Sequence, residues 1–211
     1  MAKFVIAIDG PAGSGKSSVS KEVARRLGFA YLDTGAGYRA FALHAMQHQA
    51  PIGELISSFD YEISTSPDEQ SVSLDGVDVT ERIRSHEVAA QVSQVAREQA
   101  VRDLQKADAR TRIANSPEPG IVVEGRDITT VVAPDANVRI LLTASEAVRL
   151  KRRGLEATES AENLKARDAS DSKVVEFFTP AVGVDLIDTT EMNFEQSVQA
   201  VLQLVEAVQN D

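Results

Sequence analysis

The sequence predicts an α/β fold, a parallel five-stranded sheet with helices on both faces and one small insertion, and three observations carry that prediction. Short apolar runs alternate with segments of helical periodicity, the pattern that places crossover helices between parallel strands. The first run, FVIAI at residues 4–8, is apolar throughout and rich in branched side chains, as a strand buried on both faces must be. From about residue 51 to residue 80 the alternation breaks into period-two patterns with an Asp-Gly turn, which marks the insertion. Composition supports a single domain over all 211 residues: 43% hydrophobic and 26% charged content with 7 prolines is enough to bury a core and excludes a disordered chain.

Asp9 and Gly10 stop the first strand and open a glycine loop. Beyond the loop Val19, Val23, Ala24 and Leu27 recur at helical spacing, and Gly28 stands where a helix C-cap takes a left-handed conformation. A second strand follows at residues 31–32. Inside the insertion, residues 61–65 and 71–79 (SVSLDGVDV) read as short antiparallel strands. Val88, Val92 and Val95 then mark a helix with Ser85 as N-cap. Further strands are expected at residues 121–123, 138–142 and 186–187, with a helix opened by Ser145 after the fourth. Asn193 and Gln196 form a capping box for the last helix, whose buried stripe is Val198, Val201, Leu202 and Val205.

The formal charge of −10 argues against a protein that coats nucleic acid, since that requires a basic face. Positive charge is local instead. Arg39, Arg102, Arg126, Arg149, Arg152, Arg153 and Arg167 fall in or near the segments with motif character, as expected where several phosphates are held in one cleft. Cysteine is absent, which removes thiol nucleophiles, disulfides and cysteine metal sites. No 18-residue apolar run occurs, and the N-terminal apolar stretch is too short for a signal peptide, so a soluble cytoplasmic protein without membrane partners is expected.

GPAGSGKS at residues 10–17 matches G-x-x-x-x-G-K-[ST] in full, between an expected strand and an expected helix. Gly10, Pro11, Ala12, Gly13, Ser14 and Gly15 would turn backbone N–H groups inward onto phosphate oxygens. The following helix adds the positive end of its dipole. Lys16 would reach the β and γ phosphates and the Ser17 hydroxyl would bind Mg²⁺. The N-K-x-D signature of a guanine-specific switch is missing, which disfavours a GTPase.

Past the loop the residues resemble the cytidylate kinase family, bacterial nucleoside monophosphate kinases acting on CMP and dCMP. The likeness runs in order through IDGPAGSGKSS, YLDTGAGYRAFA, VDVTERIRSHEVAAQVSQVA, VVEGRDITTVVAPDA, TASEAVRLKRR, RDASDS and IDTT. It implies ATP and CMP or dCMP as partners and Mg²⁺ as cofactor, and a kinase whose subdomains must close on two nucleotides is expected to work as a monomer. The ATP-binding set then extends to Ser18, Arg149 and Arg153, with Lys16, Arg126, Arg149 and Arg153 as the catalytic cations. Residues 51–95 become an acceptor-binding subdomain and residues 149–174 a lid. Thr34, Tyr38, Arg39, Ser93, Arg102, Arg126, Asp127, Arg167 and Asp171 match the family's acceptor positions.

The chemistry of cytosine agrees with that set. Its exocyclic amino group donates, and Ser93 and Asp127 offer acceptors; Arg102 offers donors to N3 and O2. Arg39 and Arg126 suit the acceptor phosphate. Glu124 and Asp33 are rivals for a contact to Mg²⁺ through water. His44 and His48 have the i, i+4 spacing of zinc ligands, but no third ligand is apparent in the sequence and they read as a half-exposed helix face. Other acceptors, as in adenylate or shikimate kinases, or a nucleotide-binding regulator without turnover, are the rival readings.

Four departures from the family pattern stand out. The family's arginine three residues after Asp171 is Val174, with Lys173 one position early. Thr129 replaces a glycine after the isoleucine of GRDI, and Gln99 replaces a frequent proline before the helix bearing Arg102. The tract between Arg153 and Arg167 is short and acidic, with Glu156, Glu159 and Glu162. Weaker acceptor affinity than the family norm is expected, with activity retained.

Overall fold

The computed structural model describes residues 3–155 and 179–210, the side chains of 153–155 excepted. Arg167, Asp171 and Val174, the side chain of Arg153 and most of the expected lid therefore lie outside the described residues. Five parallel strands form the main sheet in the order β2-β6-β1-β7-β8: β1 (Phe4–Asp9), β2 (Ala30–Asp33), β6 (Gly120–Gly125), β7 (Val138–Thr143) and β8 (Asp185–Asp188). The apolar runs fall in these strands, and the central ones are buried along most of their length.

Period two divides the sheet between two helical layers. Ile6, Ile8 and Val122 face α1 (Lys16–Leu27) and the last helix, α7 (Phe194–Gln209), where Val19, Val23, Val198, Val201 and Val205 complete one core. Ala7, Ile121 and Val123 face α2 (Thr34–His48), α4 (His86–Val95) and α5 (Gln99–Asn115) across the other. The expected caps form. Gly28 adopts φ 64° and donates to the carbonyls of Ala24 and Arg25. Ser85 accepts from Val88 N, and Asn193 and Gln196 close a reciprocal capping box.

The insertion contains α3 (Ile52–Ser57) and a three-stranded antiparallel sheet of β3 (Tyr61–Ile63), β4 (Val72–Leu74) and β5 (Val77–Asp78). Asp75 and Gly76, both at positive φ, make the two-residue turn between β4 and β5. Its apolar side chains Leu55, Ile63, Val72 and Leu74 continue the core under α2. One expectation fails here: His44 is 1% exposed, buried against Phe41 and Phe59. Position 44 lies on the core side of α2, which a hydrophobicity pattern cannot assign to an imidazole. After β6 a short π-helical turn, Ile128–Val132, leads into β7; α6 (Glu146–Leu155) follows β7. Among the described residues no helix is long and apolar enough to cross a membrane.

Candidate active site

In a parallel sheet the loops leaving the C-terminal ends of the strands share one edge, and ligands bind there. The register brings Asp33 of β2 opposite Glu124 of β6, and Asp9 of β1 opposite Gly125. From this edge spring the phosphate loop after β1, the Thr34 turn after β2, Arg126 and Asp127 after β6, and the start of α6 after β7.

The phosphate loop runs from Gly10 to the start of α1 at Lys16, with Gly13 at φ 78° and Gly15 at φ 92°. A Cβ on Gly13 would sit 2.7 Å from the Arg149 carbonyl, so that position needs glycine for space as well as for conformation. Arginines hold the loop's carbonyls: Arg126 Nη1 donates to Gly10 O at 2.7 Å, Arg149 Nη1 to Ala12 O at 3.0 Å and Arg152 Nη1 to Ser14 O at 3.1 Å. Arg152 also donates to Thr189. With those carbonyl dipoles neutralised, the loop and the N-terminus of α1 together favour an anion. Arg149 and Arg152 thus brace the loop, a role outside those the sequence suggested for them.

Beneath the loop lies a buried acid. Glu124 is 1% exposed; its Oε1 accepts from Tyr31 OH at 2.6 Å, while Oε2 has no hydrogen-bond partner and lies 3.8 Å from Lys16 Nζ. A buried carboxylate oxygen without a donor is costly, and a hydrated cation held near Ser17 would satisfy it. Asp33 is committed elsewhere: Oδ1 caps α2 through Ala36 N at 3.1 Å and Oδ2 pairs with Arg39 Nη2 at 2.8 Å. Burial opposes ionisation of Asp33, but Arg39, Arg84 and Lys16 outweigh it and hold the carboxyl below its ordinary range. Of the two rivals Glu124 is the one that fits Mg²⁺.

Beside the loop, Thr34, Tyr38, Arg102 and Asp127 line one cavity of about 240 Å³. Thr34 Oγ1 donates to Glu124 O at 2.8 Å and packs on Gly125, where any Cβ would meet it at 2.5 Å; this explains the glycine between Glu124 and Arg126. Burial, reinforced by the Asp9 carboxylate and opposed by Arg102, pushes Asp127 up to about 6. Burial likewise raises the Tyr38 phenol, with Asp127 adding to it. Arg39 is engaged by Asp33 through Nη2, and its Nε has no hydrogen-bond partner. Ser93, half-buried on α4, does not line this cavity.

Five cavity residues on α5, Gln99, Asp103, Gln105, Lys106 and Ala109, have no place in the sequence-derived acceptor set. Helical spacing could have found two of them: Gln105 and Lys106 lie one turn after Arg102, on its face. Gln99 Oε1 accepts from Arg102 Nη2, and Gln99 Nε2 donates to Asp103 Oδ1 at 3.0 Å. Thr129 was also read only as a departure. Its hydroxyl donates to Asp9 Oδ2 at 2.7 Å, beside the backbone N–H groups of Ile128 and Thr129 at 2.8 Å each.

The sequence is 45% identical to a cytidylate kinase of Cutibacterium acnes, with 96% of each chain covered. It is 41% identical to one from Rhodococcus jostii over 96% of this chain and 95% of the other. The fold resembles a gluconokinase from Sinorhizobium meliloti (TM-score 0.55, 14% identity, 99% and 94% of the two chains). An uncharacterized protein from Eubacterium ventriosum is similar to the same degree (TM-score 0.55, 12% identity, 97% and 99%). The family model described as cytidylate kinase matches residues 6–207, and the chain belongs to the cytidylate kinase family.

Proposed function

We propose that this chain transfers the γ-phosphoryl group of ATP to CMP or dCMP, giving CDP or dCDP and ADP, within pyrimidine nucleotide metabolism. The observation that carries the reading is the convergence of Thr34, Tyr38, Arg102 and Asp127 on one cavity at the strand edge that also bears the phosphate loop. Residues 10–18 cradle the triphosphate, with Lys16 on its β and γ groups. Ser17 would hold Mg²⁺, with Glu124 as the acid that would reach it through water; the ion would neutralise charge on the phosphates.

Asp127 accepts from the cytosine amino group while Arg102 donates to N3 and O2; Ser93, the other expected acceptor, lies outside the cavity they line. Uracil would turn a carbonyl oxygen toward the carboxylate, leaving buried polar groups unpaired. Arg39 and Arg126 hold the acceptor phosphate, Thr34 and Tyr38 wall its site, and Arg167 and Asp171 contact the sugar. An oxygen of that phosphate attacks the γ-phosphorus as the bond to ADP breaks. Its second pKa near 6 leaves it mostly ionised at pH 7, so no general base is required. Positioning and charge supply the catalysis, through Lys16, Arg126 and the lid cations Arg149 and Arg153. Residues 51–95 act as the acceptor-binding subdomain and residues 149–174 as the lid, in a cytoplasmic monomer.

The test is ADP release from purified protein with MgATP and a panel of nucleoside monophosphates. CMP and dCMP should be turned over far faster than AMP or UMP. Equal rates on AMP or UMP would defeat the cytosine assignment, and no turnover on any acceptor would favour a regulator.

A further inference from the structure

The far end of α2 carries a second cluster that the phosphoryl-transfer reading does not use. His44 and His48 lie one turn apart, their ring centroids 4.4 Å apart and their planes tilted by 48°. Asp75, at φ 49° in the turn between β4 and β5, completes the group: one donor atom from each residue lies within 4.8 Å of the others. His44 is buried, whereas His48 and Asp75 are exposed.

Ser58 Oγ lies 2.9 Å from Glu54 O and 3.4 Å from Leu55 O, carbonyls that can only accept. With its proton on one of them, the same oxygen accepts from His44 Nε2 at 3.1 Å in the tautomer that carries the hydrogen there. That leaves the lone pair on Nδ1, which is buried and has no hydrogen-bond partner. A histidine that merely packs between Phe41 and Phe59 would account for the burial. It would not account for a bare basic nitrogen, nor for a carboxylate brought up by a separate hairpin.

We propose that His44, His48 and Asp75 bind a divalent transition-metal ion of the zinc class. Imidazole nitrogen with one carboxylate suits such ions and not Mg²⁺, which prefers oxygen. Ser58 supplies the partner to the non-ligating nitrogen that metal-binding histidines characteristically have. Metal–ligand bonds of about 2.0–2.2 Å separate tetrahedral ligands by about 3.4 Å, so His48 and Asp75 close by roughly an ångström on binding. Both are free to do so at the surface, and a fourth position stays open to water. The bound ion ties α2, whose N-terminal half carries Thr34, Tyr38 and Arg39, to the β4–β5 hairpin.

Zinc chloride titrated calorimetrically into the full, untagged chain in excess MgCl₂ tests this. One zinc per chain is expected, with affinity at least about tenfold weaker in His48→Ala and in Asp75→Asn, and weaker also in Ser58→Ala. Zinc should raise the melting temperature of the parent protein and not of the first two variants. Both substitutions are at exposed positions, and unchanged CMP turnover in Mg²⁺ would verify that they fold. Absence of zinc binding, or parental affinity in either His48→Ala or Asp75→Asn, overturns the proposal.

Discussion

Tyr31 donates its phenolic proton to Oε1 of Glu124 at 2.6 Å, and that bond decides which carboxylate oxygen is left over. The remaining one, Oε2, lies 3.8 Å from Lys16 Nζ with no hydrogen-bond partner. Glu124→Gln keeps the shape and removes the charge. It should raise the Mg²⁺ concentration for half-maximal rate by about 10- to 100-fold. Tyr31→Phe strips a buried carboxylate of its donor and should cost about 1–3 kcal/mol of stability with a smaller change in Mg²⁺ dependence. Mg²⁺ titrations of initial rate and urea unfolding of the two variants separate these effects.

Arg102 is held by Gln99 and reaches toward the Ala96 carbonyl at 3.5 Å. A nucleotide that needs this guanidinium must draw it away from both. Gln99 is the first residue of α5, the helical position where proline fits best. Gln99→Pro should leave stability within about 1 kcal/mol and release Arg102. The KM for CMP should then fall by about two- to fivefold with kcat little changed, the scale of one lost competing hydrogen bond. A KM that rises would mean that Gln99 presents Arg102 rather than detains it.

Asp127 keeps a carboxylate where burial and Asp9 both resist its charge, at a pKa of about 6. A carboxyl whose folded pKa is raised favours the folded state fully below the unfolded value near 4, and loses that contribution as pH rises through about 6. Asp127→Asn has no such loss. The variant should exceed the parent in stability by about 2 kcal/mol at pH 8, and the gap should narrow by pH 5. Urea midpoints at the two pH values check this. A cost of that kind is sustained when the charge has a ligand to meet, so the same variant should bind cytidine more weakly at pH 8.

How much of this was legible in the sequence differs by feature, and the reason is physical. The main strands, the Gly28 cap and the Asn193–Gln196 box rest on local periodicity and turn chemistry, and these survive folding unchanged. The phosphate loop was legible for the same reason. Contacts between distant segments were not: nothing near Thr129 in sequence reveals that its hydroxyl meets Asp9, 120 residues away. Arg149 and Arg152 were visible as local positive charge, but their targets, the Ala12 and Ser14 carbonyls, belong to a segment 137 and 138 residues earlier. His48 and His44 were noticed as a pair, and their third member, Asp75, arrives only when the hairpin folds against α2.

Thr129 shows how a departure from the family pattern is absorbed. Asp9 is 3% exposed, and burial raises its pKa against the donors from Thr129 and Ile128. Glycine at 129 would keep the backbone donors and lose the hydroxyl. Thr129→Val removes that proton without changing the volume, so Asp9 Oδ2 keeps only one donor in a site too tight for a replacement. This should cost about 1–3 kcal/mol, whereas Thr129→Ser, which retains the hydroxyl, should cost less than about 1 kcal/mol. Because Asp9 and Asp127 repel, a less well-solvated Asp9 titrates higher and relieves its neighbour. The acid limb of the pH–rate profile for CMP should therefore move to lower pH in Thr129→Val and stay in place in Thr129→Ser. A larger stability loss in Thr129→Ser than in Thr129→Val would show that the methyl group of Thr129, and not its hydroxyl, is what the site requires.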